Sequence, residues 1–363
     1  MVPSPDIFTG TSLIICCGAG GVGKTSSAAA IGLQAAKRGR RVCVLTIDPA
    51  KRLAQALGMS ELGNEPVRVE MPSGGSLHAL MLDAKATFDK MISDAIKTDS
   101  LQRALQSNHV YKLLTQAFHG MQEYMAVEKL FSLLKDQRFD LVVLDTPPTT
   151  NVLGFFDAPE RLSRFFDKRV VKFFLPEHGG RLSRLLSGQS AVLLVLSKVA
   201  GEDFAKDLQE FFVLLGHLTE SLSQRASELR GLLAQHSTRY VIVTGAERSR
   251  VDETMQLVDV LKARSYPPAA VIVNRVTPEA LTTHDGSILE EPASLDAAER
   301  SVFATLKTKL ETQRSSLTKR ASLEAAQIAR LKTFVGEKIV QVVPRLDVEL
   351  DSVAGLLHLA DAL

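Results

Sequence analysis

Short, nearly continuous apolar runs punctuate this chain, and stretches with helical periodicity separate most of them. Runs of this kind, rich in β-branched residues, predict strands buried on both faces, as in a parallel sheet. Seven stand out: Ser12 to Cys17, Arg41 to Asp48, Leu77 to Asp83, Phe139 to Asp145, Arg239 to Gly245, Ala269 to Arg275 and Lys338 to Pro344. The first intervening stretch, Thr25 to Arg38, is Ala-rich, ends in Lys37 and Arg38, and is followed by Gly39, a C-cap signal. Strand–helix alternation predicts an α/β fold, a mostly parallel sheet with helices on both faces.

Two intervals break the alternation. Ala84 to Arg138 and roughly Asp157 to Thr238 carry no strand pattern and read as helical. Nine of the 16 Phe residues fall between Phe155 and Phe212, among them Phe165–Phe166 and Phe173–Phe174. The expected organisation is a core from 1–83, 139–156 and 239–363, with one all-helical subdomain inserted as two segments, 84–138 and 157–238. A third helical stretch, 295–334, spaces its apolar residues three or four apart and reads as a helix pair turning near Ser315–Ser316.

Composition narrows the class. A chain of 363 residues with 45% hydrophobic and 23% charged residues is that of a soluble globular protein. A net charge of +2 gives no electrostatic case for a nucleic-acid partner. The most apolar run, Ala191 to Gly201, is far short of the ~20 residues of a membrane span. No integral membrane segment is expected, and peripheral membrane contact is left open. The start of the chain lacks an export-signal layout, and Cys16, Cys17 and Cys43 form no spaced metal pair. A cytoplasmic location is expected.

The chemistry centres on "GAGGVGKTS", Gly18 to Ser26, between the first strand and the first helix. Gly18, Gly20 and Gly23 fit the dinucleotide fingerprint; Gly18, Gly23, Lys24 and Thr25 fit the P-loop. In the P-loop reading Gly20, Gly21, Val22 and Gly23 turn backbone N–H groups onto phosphates, and Ser26 continues the cradle into the helix. Lys24 reaches the β/γ-phosphates and the Thr25 hydroxyl ligates magnesium. Asp145, ending an apolar strand in "LVVLDTPPTT", is placed to hold that magnesium, for which hydride transfer has no use. Asp48, in "TIDPAKR", also ends a strand; it suits a water-positioning carboxylate beside a γ-phosphate, a helix N-cap, or a ribose ligand in the dinucleotide alternative. The favoured reading is a P-loop NTPase using ATP and Mg2+; an NAD(P)-dependent oxidoreductase is the weaker one.

These segments, in this order, resemble the ArsA-like ATPases, a deviant-Walker P-loop family whose loop reads K-G-G-x-G-K-T and whose switches read D-P-A and D-T-A-P-T-G-H. Here they read Ala19 to Thr25, Asp48 to Ala50, and Asp145 to Asn151. The resemblance extends to "VIVNR", where Asn274 falls on the family's adenine-contacting Asn, and to the Pro-containing strand end at Pro344. It implies an ATPase dimer, homomeric or with a paralogue, that clasps two nucleotides face to face and rearranges its helical subdomains to expose or close a client site. The Phe-rich stretch Arg161 to Leu175 then reads either as a groove for a hydrophobic client helix or as the subdomain's own core. Three departures matter. Ala19 replaces the family's signature lysine, which reaches the partner's nucleotide in trans; losing such a cation costs on the order of 10³-fold in rate unless another group supplies it. Lys51 or Arg52 is a candidate substitute, and a nucleotide-binding regulator with little turnover is the alternative function. Thr150 and Asn151 replace the family's Gly and His. The three cysteines lie in predicted core strands, which argues against a zinc clamp and against arsenite transport.

Overall fold

The computed structural model describes residues 6–72, 74–96, 98–116, 122–147, 154–157, 160, 201–216, 219–281 and 296–363. Eight strands form one sheet: β1 (Leu13–Gly18), β2 (Arg41–Thr46), β3 (Val67–Val69), β4 (Ser76–Met81), β5 (Leu141–Asp145), β6 (Thr238–Thr244), β7 (Pro268–Val276) and β8 (Val340–Pro344). Their order is β3-β4-β2-β5-β1-β6-β7-β8, with only the β3–β4 pair antiparallel. Each of the seven apolar runs coincides with a strand to within two residues at either end. The addition is β3, three residues at the sheet edge with two of them exposed; so short and wet a segment leaves no apolar run to read.

The described helices include α1 (Lys24–Lys37), α2 (Arg52–Ala56), α3 (Ala84–Ala95), α4 (Asp99–Ser107), α5 (His109–Gln116), α6 (Gln122–Lys135), α7 (Glu202–Gly216), α8 (Thr219–Ala234), α9 (Arg248–Ala263), α10 (Ala297–Val335) and α11 (Val353–Ala362). Strand residues alternate between two cores. Ile14, Val42, Val44, Leu141 and Val143 face α1 and α11, where a row of alanines lets α1 approach the sheet closely. Leu13, Ile15, Leu45, Val142 and Leu144 face the opposite core, which holds residues of α3, α6, α8 and α9. Both faces are therefore dry, as continuous apolar strands require. Cys16, Cys17 and Cys43 are buried in β1 and β2, and burial pushes the Cys17 and Cys43 thiols up to about 12.

The interval between β4 and β5 is helical as expected, from α3 to α6. Of the second interval, α7 and α8 are described, while the stretch Arg161 to Leu175 and its Phe pairs lie outside the described residues. The two segments touch each other directly. The Asn108 side-chain amide donates to the Asp207 carbonyl at 2.8 Å. Arg225 on α8 forks onto the buried carboxylate of Glu128 on α6, its Nε 2.9 and 3.0 Å from the two oxygens and its Nη2 donating as well.

One expectation is corrected. Residues 297–335 form a single helix of 39 residues rather than a pair turning at Ser315–Ser316. No Gly or Pro interrupts it before Gly336, and polar residues alone do not end a helix. Asp296 and Glu299 close a capping box at its start. Thr305, Thr308, Thr312, Thr318 and Thr333 satisfy their hydroxyls on carbonyls four residues back, a bond that weakens a helix slightly without ending it.

Removing one partner of a buried ion pair leaves the other uncompensated. Glu128→Ala is expected to lower unfolding free energy by roughly 3 kcal/mol, read from urea denaturation. An unchanged midpoint would show that the Arg225–Glu128 fork adds nothing to the joining of α6 and α8.

Candidate functional site

In a parallel sheet the carboxyl ends of the strands lie along one edge, and the loops leaving them converge there. The segment from β1 to α1 is one of these loops. Gly18 has φ +143, and a Cβ on it would lie 1.9 Å from the Val243 carbonyl oxygen, so the first glycine lets β1 lie against β6. Gly23 is left-handed at φ +92 and stands at the N-cap of α1, with no side chain capping the helix and no acid in its first turn. That first turn presents unsatisfied N–H groups and positive dipole to an anion.

Two cavities adjoin at this edge. The smaller, about 410 Å³, is lined by Gly20, Gly21, Gly23, Lys24, Thr25 and Asp48, with Arg52 and Thr146 at its margin. The larger, about 800 Å³, is lined by Asn274, Pro344, Arg345, Leu346, Glu247 and Arg320 among others. Ser26, Arg275, Leu350 and Asp351 border both. A glycine-walled cavity with a lysine opening into a larger half-apolar one has the division of a polyphosphate subsite and a nucleoside subsite.

Below the loop lies Asp145, 1% exposed. Its Oδ2 accepts from the Thr25 hydroxyl at 2.7 Å and from the Thr46 hydroxyl at 3.0 Å. Its Oδ1 is buried with no hydrogen-bond partner. Burial pushes the carboxyl up to about 6, against the hydrogen bonds from Thr25 and Thr46 and the nearby ammonium of Lys24. A hydroxyl, a carboxylate and an orphaned carboxylate oxygen beside a phosphate-type cradle fit a hard divalent cation such as magnesium. Lys24 is itself largely buried; desolvation lowers its pKa, and its ammonium donates to the Ala19 carbonyl at 2.8 Å.

The other expected residues divide. Asp48 lines the smaller cavity, but its carboxylate accepts from the Ala50 N–H at 2.9 Å and from Arg52 at 3.2 Å. It shapes the turn before α2, whose N-cap is Lys51. Asn274 borders the larger cavity while its amide donates to the Val22 carbonyl at 2.9 Å and its oxygen accepts from the Arg275 N–H. Pro344 borders the same cavity. Val22 lines neither: its side chain is buried in the core below. Pro148 to Asn151 lie outside the described residues.

Two contributors escape a motif search. Thr46 stands opposite Asp145 in the β2–β5 register, and a hydroxyl at the end of a neighbouring strand is the signal that marks it. Arg275 adjoins Asn274 and donates to the Gly21 carbonyl at 3.2 Å.

The chain is 27% identical over 272 residues to "ATPase get3" of Aspergillus terreus, covering 74% of this chain and 73% of that protein. It is 28% identical over 280 residues to "ATPase GET3B" of Arabidopsis thaliana, covering 72% and 63% respectively. To an "ATPase ASNA1 homolog" of Plasmodium chabaudi chabaudi it is 24% identical over 349 residues, covering 94% and 84%. The profile of the anion-transporting ATPases, ArsA_ATPase, matches residues 11–336, and by that match this chain belongs to the ArsA ATPase family.

Proposed function

We propose that this chain binds MgATP and hydrolyses it. The observation that carries the reading is the buried Asp145 carboxylate, shared between Thr25 and Thr46 on one oxygen and without a partner on the other, directly beneath an uncapped helix N-terminus. In this reading the loop amides from Gly20 to Gly23 and the first turn at Ser26 cradle the phosphates. Lys24 exchanges the Ala19 carbonyl for phosphate oxygens. Thr25 and Asp145 hold magnesium, which when bound neutralises charge on the phosphates. Asp48, once Arg52 releases it, orients the attacking water. Asn274 and Pro344 border the cavity that takes adenine. A dinucleotide oxidoreductase has no use for the Thr25–Asp145 pair, and that reading is set aside.

The nucleotide state is proposed to control closure of a dimer and a helical client or partner site. Support comes from the family resemblance and from the path leaving β5. Thr146 is anchored on the Cys16 carbonyl at 2.8 Å. Further along, Phe156 packs edge-on against Tyr240 and lies 5.6 Å from the Tyr266 ring, and Asp157 pairs with Arg264 at 3.0 Å. A shift of this segment would thus be transmitted to β6 and α9. A second reading, a regulator with little turnover that pairs with a paralogue, is favoured by one feature: Ala19, only 2% exposed, carries no charge to offer a partner.

Steady-state phosphate release from the purified chain separates the two. Turnover that Lys24→Ala lowers on the order of 10²-fold supports the enzyme; nucleotide binding without turnover supports the regulator. Asp145→Asn keeps an oxygen for Thr25 and Thr46 while removing a buried charge. Without nucleotide its melting temperature is expected to match or exceed that of the parent, and the magnesium-dependent part of the upshift with ATP is expected to vanish. An upshift as large as the parent's would remove Asp145 from the metal site.

A further inference from the structure

A family member whose signature lysine is Ala19 needs another cation at the phosphates if it turns ATP over. The candidates named from sequence do not fill the place well. Lys51 is paired with Glu61 at 3.5 Å and borders neither cavity. Arg52 borders only the smaller cavity, on the Asp48 side, and does not reach the junction of the two. Arg320 and Arg345 border only the larger one. Among the described lysines and arginines, Arg275 alone lines both.

Its placement has a specific cause. The β7–β8 register pairs Val273 with Val342 and then Val276 with Pro344, so two residues of β7, Asn274 and Arg275, stand against the single residue Val343. This is a bulge at the end of the strand, a device that re-aims side chains beside functional sites. Arg275 is left-handed there, at φ +59, a conformation uncommon for a residue with a side chain. The bulge turns both side chains back onto the glycine loop: Asn274 takes the Val22 carbonyl and Arg275 the Gly21 carbonyl. The guanidinium thus lies over the loop where the two cavities meet, with one N–H on a neutral carbonyl and its remaining donors uncommitted among the described residues. A phosphate oxygen is a stronger acceptor for a guanidinium than an amide carbonyl.

We infer that Arg275 takes the place of the missing lysine, in cis, as the cation that contacts the phosphate chain at the junction of the two cavities. The inference rests on the MgATP reading of the same site. In the step it serves, the water oxygen bonds to the γ-phosphorus and the bond from that phosphorus to the bridging oxygen breaks. The bridging oxygen keeps the electron pair as ADP leaves, and the water's proton passes to solvent. Arg275 offsets the charge that builds on the phosphate chain.

The test uses the full chain and three readouts: phosphate release, ADP binding, and trapping of ADP with aluminium fluoride as a transition-state mimic. Arg275→Ala is expected to lower kcat on the order of 10²- to 10³-fold and to lose aluminium-fluoride trapping, while ADP affinity changes less than about threefold. Millimolar guanidinium is expected to restore at least about a tenfold part of the loss, and Arg275→Lys to retain an intermediate rate. The inference is overturned if Arg275→Ala keeps kcat and trapping within about threefold of the parent. It is also overturned if ADP affinity falls as far as kcat and guanidinium restores nothing, since Arg275 would then only brace the loop. If the parent binds ADP but neither turns over nor traps it, Arg275 has no such role. If Lys24→Ala leaves ADP binding untouched, it is the MgATP reading itself that fails, and Arg275 with it.

Discussion

Burying an ionisable carboxylate at the end of a central strand is the constraint around which the site is arranged. Removing such a group from water costs several kcal/mol unless the protein supplies compensating dipoles. Here the compensation is lopsided. Thr25 and Thr46 solvate one oxygen of Asp145, and nothing among the described residues solvates the other. A site that satisfied both oxygens would be more stable and would have no appetite for a cation. The unsatisfied oxygen is where the magnesium of the proposed reading would bind.

The same economy governs the loop above. The first turn of α1 has no capping side chain, and Gly23 rather than a Ser or Asp holds its N-cap position. Asn274 and Arg275 hold the Val22 and Gly21 carbonyls of the loop. Strand β7 therefore sets the shape of a loop that is distant from it in sequence, and the bulge between Val273 and Val276 is what makes the reach possible.

Much of this was legible in the residues. The seven buried strands carry dense apolar runs because both faces of a parallel sheet are dry, and those runs located them. Gly18, Gly23, Lys24, Thr25 and Asp145 stand out in the sequence because phosphate and cation chemistry would narrow the choice of residues at each position, and the structure brings them to one edge of the sheet. What was not legible depends on tertiary placement. The edge strand Val67–Val69 has no apolar pattern to betray it. Thr46 meets Asp145 only because the two strands set them opposite each other, and Arg275 reaches the glycine loop only through a two-for-one mismatch with β8. The continuity of α10 was misjudged because Ser315 and Ser316 look like a turn, although a helix without Gly or Pro has no reason to stop there.

That long helix has a mechanical corollary. Arg320, on the wall of the larger cavity, is held by Glu324 at 2.7 Å, and Glu324 in turn accepts from the Thr277 N–H at 2.8 Å. The rod is therefore pinned beside the cavity at Glu324, and its N-terminal end lies about 40 Å away along its axis. A pivot of five degrees at the pin would sweep that end through about 3.5 Å. The exposed Val302 and Leu306 lie on that far arm. Under the proposed nucleotide reading, repacking of about an ångström around a bound base would be magnified into a larger displacement at the far end of the rod.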